Sequence, residues 1–206
     1  RELGRMINSA AINFNLLPDE DCDAPLGQGT GAAVIFGATG GVMEAALRTA
    51  AEVITGKELE NPEFHDVRGM EGIKEASYKL GDMDVKVAIV SGTKNAKAIM
   101  EKVKDGTADY TFIEIMGCPG GCINGGGQPY VRAAVRNRGV DFKKLRAQAL
   151  YNEDMAKQVR KSHKNKQIQE LYANFLGEPN SHLAHELLHT HYNAQPRFKN
   201  VFEDEE

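Results

Sequence analysis

Asp84-Val85-Lys86-Val87-Ala88-Ile89-Val90-Ser91, the run from Lys94 to Lys104, and Tyr110-Thr111-Phe112-Ile113-Glu114-Ile115-Met116 together decide the fold. The first and last are apolar or alternating and of strand length, and between them Ser91-Gly92-Thr93 can cap a helix. Strand, helix and strand in that order make a parallel crossover, right-handed by default. Upstream, Phe64 to Val67 and Ile73 to Leu80 also alternate or run apolar, with Gly69, Gly72 and Gly81 as turns. With Asp84 to Ser91 they suggest an antiparallel meander. The fold class expected is therefore α/β, a mixed sheet carrying one parallel strand–helix–strand unit.

Working outward, Arg1 to Ala11 reads as the end of a helix, and Leu16 to Thr30 as an acidic and then glycine-rich loop. Ala32 to Phe36 is short and apolar, suited to a buried strand or to backbone packed under a cofactor. From Gly40 to Thr55 the spacing of Val42, Ala45, Ala46, Thr49 and Val53 is helical, and Gly56 stops it. Beyond Pro129 the chain turns charged and helical, with helices expected at Phe142 to Lys157, Lys166 to Leu176 and Ser181 to His191. The closing Phe198 to Glu206 reads as a loose acidic tail. Two parts follow: an α/β lobe over 1–140 and a C-terminal helical segment with its tail over 141–206.

The chain has 206 residues, 41% of them hydrophobic, enough for one or two modest cores. A net charge of −4 gives no reason to expect nucleic acid. The one basic cluster, Arg132, Arg136, Arg138, Lys143, Lys144 and Arg146, reads as a solvated helical face or docking surface. No apolar run approaches the roughly 20 residues of a membrane-spanning helix. Three cysteines, two of them close together, argue against a disulfide framework, so a reducing cytoplasm is the default.

Chemistry concentrates where the last strand ends. Gly117-Cys118-Pro119-Gly120-Gly121-Cys122-Ile123-Asn124-Gly125-Gly126-Gly127-Gln128-Pro129 sets two cysteines in a glycine-rich loop fed by a stiff apolar strand. Such spacing lets two thiolates meet one soft centre, zinc, copper or an iron–sulfur cluster. Missing side chains let backbone N–H groups approach, forming a concavity that suits negatively charged sulfides. Open α/β sheets hold ligands at the carboxyl ends of their strands, where this loop lies. Cys22, set among Asp19, Glu20, Asp21 and Asp23, reads instead as a plain loop cysteine, since neighbouring carboxylates disfavour its thiolate.

Glu114-Ile115-Met116-Gly117-Cys118-Pro119-Gly120-Gly121-Cys122, continuing to Gly125-Gly126-Gly127-Gln128-Pro129, resembles the last of three signature motifs of the iron-only (FeFe) hydrogenases. Phe36-Gly37-Ala38-Thr39-Gly40-Gly41-Val42-Met43-Glu44 is similar to a second stretch of that family. So are Leu171 to Pro179 and the histidine-rich Ser181 to Tyr192, so the likeness spans nearly the whole chain. The resemblance implies a 4Fe-4S cubane with Cys118 and Cys122 as metal ligands, Cys122 also bridging to a two-iron subcluster. It implies that Cys122 and Met116 act at the catalytic centre, and that Phe36, Gly37, Met116, Gly121 and Gln128 line the cofactor. The activity implied is reversible oxidation of H2 to protons and electrons, in a cytoplasmic enzyme of anaerobes whose redox partner is ferredoxin or an NAD(P)-linked subunit.

The family's other two signatures, paired cysteines before Pro-x-Trp and a Met-Pro-Cys segment, are absent, and the chain contains no tryptophan. A cubane takes four protein ligands. The expectation is that these residues form the C-terminal half of a catalytic domain, inactive without the remaining N-terminal part of the same hydrogenase. Two other classes stay open beside the redox enzyme. A non-catalytic iron–sulfur sensor or assembly relative would keep the loop without the two-iron subcluster. A zinc metallopeptidase is suggested by His185-Glu186-Leu187-Leu188-His189, where histidines one helical turn apart share a metal. Its third ligand would have to come from Glu203, Glu205 or Glu206. The glycine runs Gly27 to Gly31 and Phe36 to Gly41 keep neither the dinucleotide spacing nor a Walker lysine, and suit close approach of the chain to a bulky inorganic cofactor better.

Overall fold

The computed structural model describes residues 1–21, 23, 26–27 and 29–194. Cys22, Gln28 and the tail from Phe198, with Glu203, Glu205 and Glu206, lie outside the described residues. The chain divides into two compact units, Arg1–Asn165 and Lys166–Glu206.

The first unit runs α1 (Glu2–Ser9), α2 (Gly31–Val34), α3 (Gly41–Thr55), β1 (Ile73–Leu80), β2 (Met83–Ser91), α4 (Thr93–Lys104), β3 (Phe112–Met116), α5 (Ala133–Arg136) and α6 (Phe142–Ala156). The sheet has the order β1-β2-β3, with β1 antiparallel and β3 parallel to β2. The mixed α/β sheet with its parallel strand–helix–strand unit is therefore as the hydrophobic pattern implied. Central β2 is buried continuously from Val87 to Ser91, as a strand covered on both faces should be. Met43, Leu47 and Ala51 of α3 meet Val85, Val87 and Ile89 of β2 in the main core, while α4 packs against β2 and contributes Ile99.

The meander expectation fails at its first member. Residues His65–Val67 form a 3-10 turn, not a strand, and among the described residues the antiparallel part is only the β1-β2 hairpin. The reason is a tertiary demand on this segment: Val67 is fully buried in the main core, and the next residue, Arg68, reaches the buried Glu44 carboxylate. Ala32 to Phe36 is helical as well. Thr30 caps α2 by accepting from the Ala33 amide at 3.3 Å, and a 3-10 turn follows at Ile35–Gly37.

A buried ionic network ties α3 to α6. Arg48 donates to Glu44 at 2.7 Å and to Asp154 at 2.8 Å, all three side chains being inaccessible, and Arg160 completes Asp154 at 2.7 Å. Burial alone would push Asp154 up, but hydrogen bonds from Arg48 and Arg160 carry it below the ordinary range. Glu52, at the far end of α3, accepts from Lys161, from His163 at 2.6 Å and from the Leu59 amide at 2.9 Å.

In the second unit α7 (Lys166–Leu171) runs into a π-helical turn at Tyr172–Leu176, and α8 spans His182–Leu188. Gly177, at φ 79°, ends the first helix. Ser181 caps the next by accepting from Ala184 at 3.2 Å. Among the described residues no helix is long and apolar enough to cross a membrane.

Candidate metal centre

β3 delivers Met116 to its carboxyl end, where the Met116 carbonyl accepts from Gly92 at 2.7 Å. The chain then folds into a knot of short bonds. The Gly121 amide donates to Cys118 O at 2.9 Å, Asn124 N to Gly121 O at 3.0 Å, Gly125 N to Cys122 O at 3.0 Å, and the Asn124 side chain to Pro119 O at 3.0 Å. Gly120 and Gly121 have φ of 89° and 95°, a left-handed region that a side chain disfavours. Arg146 of α6 holds the exit by donating to Ile123 O at 2.8 Å and Pro129 O at 2.9 Å. Ile123 itself is buried among Ile35, Ala38, Ala147 and Tyr151.

The two glycine segments singled out in the sequence meet. Thr39 N donates to Gly120 O at 3.1 Å. A Cβ on Gly121 would stand 2.7 Å from Gly37 O and 2.8 Å from Thr39 N, so only glycine lets the two backbones touch. Gly37 has its own limit, since a Cβ there would strike Leu150 at 2.8 Å. Cys118 and Cys122 are both free thiols and both exposed, neither joined to the other. Met116 is half-buried at the end of β3, two residues before Cys118, and Phe36 is 45% exposed in the turn at Ile35–Gly37. Gln128 lies further along, its amide bonded to Gly125 O at 3.1 Å, at the edge of a separate hollow of about 200 Å³ with Arg1, Tyr130 and Arg146. The soft-donor chemistry of two unpaired, outward-facing thiols on a rigid glycine turn fits two corners of an iron–sulfur cluster.

Glu114 joins the two glycine segments from behind. In an apolar strand a lone glutamate is expected to face water, yet Glu114 is 5% exposed while Phe112 and Ile115 are 44% and 46% exposed. Its carboxylate accepts from Gly40 N at 2.6 Å and Met43 N at 2.7 Å, capping α3 from another element. Burial raises its pKa, and those two amide bonds only partly oppose the rise. The available signal was its position in the strand that feeds the cysteines.

Residues 1–126 match the family described as iron only hydrogenase large subunit, C-terminal domain, and residues 140–195 match iron hydrogenase small subunit. The chain belongs to the iron-only hydrogenase family. It is 50% identical over 197 residues to the NADP-reducing hydrogenase subunit HndD of Solidesulfovibrio fructosivorans, covering 96% of this chain and 33% of that one. A solved structure of the FeFe-hydrogenase HydA1 from Chlamydomonas reinhardtii superposes with a TM-score of 0.68 at 42% identity, covering 93% of this chain and 53% of that chain. More distantly, Protein NAR1 of Arabidopsis thaliana is 31% identical over 196 residues, 93% of this chain and 40% of the relative. The chain spans about a third of the length of the first two curated relatives. His185 and His189, the pair behind the peptidase reading, lie with ring centroids 4.0 Å apart and planes tilted by 43°, in or next to α8. Among the described residues no three His, Cys, Asp or Glu are grouped to hold a metal ion.

Proposed function

We propose that this chain supplies Cys118 and Cys122 as thiolate ligands to the iron–sulfur H-cluster of a hydrogenase that oxidises H2 reversibly, the rest of the ligand set coming from the larger protein its relatives exemplify. The observation that carries this reading is the knotted loop itself: two free, exposed thiols either side of Gly120 and Gly121, both at positive φ, with backbone packed so closely on Gly121 that no Cβ fits. A 4Fe-4S cubane with an attached two-iron subcluster, once bound, supplies the redox chemistry of H2. The chain's own residues do the rest. Cys118 and Cys122 anchor iron, Gly120 and Gly121 bring backbone amides close, Met116 flanks the thiols, and Phe36 and Gly37 close the facing side. Gln128 belongs to the outer rim. We take residues 1–140 as the ligand-bearing lobe and 141–206 as the helical segment that follows it. Electrons pass to ferredoxin or to nicotinamide-linked subunits, the latter favoured by the name of the HndD relative. The chain by itself is inactive, and its setting is the cytoplasm.

In the hydrogenase containing this chain, Cys122→Ser abolishes the infrared CO and CN bands of the two-iron subcluster and nearly all H2 activity. Normal iron content with unchanged bands would overturn the assignment. Met116→Ala leaves cubane iron in place and changes the turnover rate, and an unchanged rate would remove Met116 from the centre. A second reading, an iron–sulfur sensor or assembly protein of the same fold without H2 chemistry, draws support from the 28% identity over 160 residues to a cytosolic Fe-S cluster assembly factor, narfl of Xenopus tropicalis. A holoprotein carrying a cubane but no CO or CN bands after maturation would select it. His185→Ala retains hydrogen activity, whereas a zinc peptidase would lose its function.

A further inference from the structure

Two buried charges of opposite sign lie behind the cysteine loop, and ligation uses neither. Glu114 sits on β3, four residues before Cys118. Lys74, 9% exposed, is on β1 and donates to Gly69 O at 2.8 Å and Thr39 O at 3.4 Å. Both converge on one turn. The Gly40 amide feeds Glu114 at 2.6 Å, and the Lys74 ammonium would stand 3.5 Å from a Cβ on that same Gly40. The preceding residue, Thr39, donates its amide to Gly120 O at 3.1 Å, inside the cysteine loop. The charges are thus coupled to the loop through two consecutive residues.

Neither charge is there cheaply. Burial raises the pKa of Glu114 and lowers that of Lys74 to about 8, although Lys74 and Glu114 attract each other and Glu71 also draws on the lysine. A hydrophobic pair in their place would generally be no less stable. In a poorly polarisable interior a unit charge acts over longer distances than it does in water.

We propose that Glu114 and Lys74 are positioning residues that set the electrostatic potential at the Cys118–Cys122 site, the carboxylate opposing reduction of the bound cluster and the ammonium favouring it. This rests on the ligand assignment above. The one-electron reduction of the cubane by dithionite, followed by electron paramagnetic resonance in the holoprotein at graded applied potential, reads the effect directly. Glu114→Gln raises the reduced-to-oxidised ratio at fixed potential, and Lys74→Met lowers it, each by roughly threefold to tenfold. Lys74→Arg leaves the ratio unchanged. Opposite signs are the signature, because loosening of the fold would move both variants the same way. Where Glu114→Gln does not accumulate, Met against Arg at position 74 decides alone. An intact cubane whose ratio stays constant or shifts in one direction in both variants overturns this inference only. A wild-type holoprotein with no cubane signal overturns the ligand assignment and this inference together.

Discussion

Gly121 carries the tightest steric demand in the candidate centre. Alanine there combines a left-handed φ of 95° with a contact of 2.7 Å to the Gly37 carbonyl, and neither partner is a flexible side chain. Gly121→Ala therefore destabilises the protein by about 1–3 kcal/mol, read as a lowered midpoint in urea, and reduces iron retention at the loop. Cys118 and Cys122 stand out in the sequence by their spacing within a glycine-rich loop, whereas Met116, Phe36 and Gly37 come forward only through the resemblance to the family. The burial of Glu114 is legible in neither, since it depends on where the start of α3 comes to rest. Hydrophobic alternation assigns it to water, and two backbone amides from a distant segment assign it to the interior.

Among the elements, α3 does the most to join the parts of the first unit. Its apolar face packs on β2, its first turn is capped by Glu114, and Arg48 at its middle closes the network with Asp154 of α6. Arg48→Met leaves Glu44 and Asp154 short of donors in a dry interior and costs roughly 3–5 kcal/mol, measured by thermal or denaturant unfolding. Leu47→Ala, a pure packing loss in the same helix, costs about 2–5 kcal/mol. Periodicity identified α3 and the strand–helix–strand unit because both repeat over many residues. It misread Phe64 to Val67, where a short apolar run serves the core from a 3-10 turn, and it could not anticipate the π-helical turn at Tyr172–Leu176.

For the whole molecule, pH dependence follows from a few coupled groups. Hydrogen bonding from Lys161 holds Glu52 well below the ordinary carboxylate range, and Glu63 and Asp154 are lowered by arginines despite burial. A depressed carboxylate contributes stability that is present above its unfolded pKa and lost as pH falls through its folded one. Unfolding at graded pH should therefore show stability declining steadily below about pH 4.5. Lys74 works in the other direction. Its folded pKa of about 8 lies below the unfolded 10.5, so the unfolded chain binds more protons between these values and stability rises with pH across that window. Lys74→Met should flatten that rise. The order of local patterns along the chain was enough to establish the α/β class and the parallel unit and to single out the two-cysteine glycine loop, because these depend on periodicity and spacing within short windows. Distant segments had to meet before Gly121 could be seen locked against Gly37, Glu114 capping α3, or Lys74 bracketing the same turn. Those contacts arise from packing between residues far apart in the chain, and no local window contains both partners.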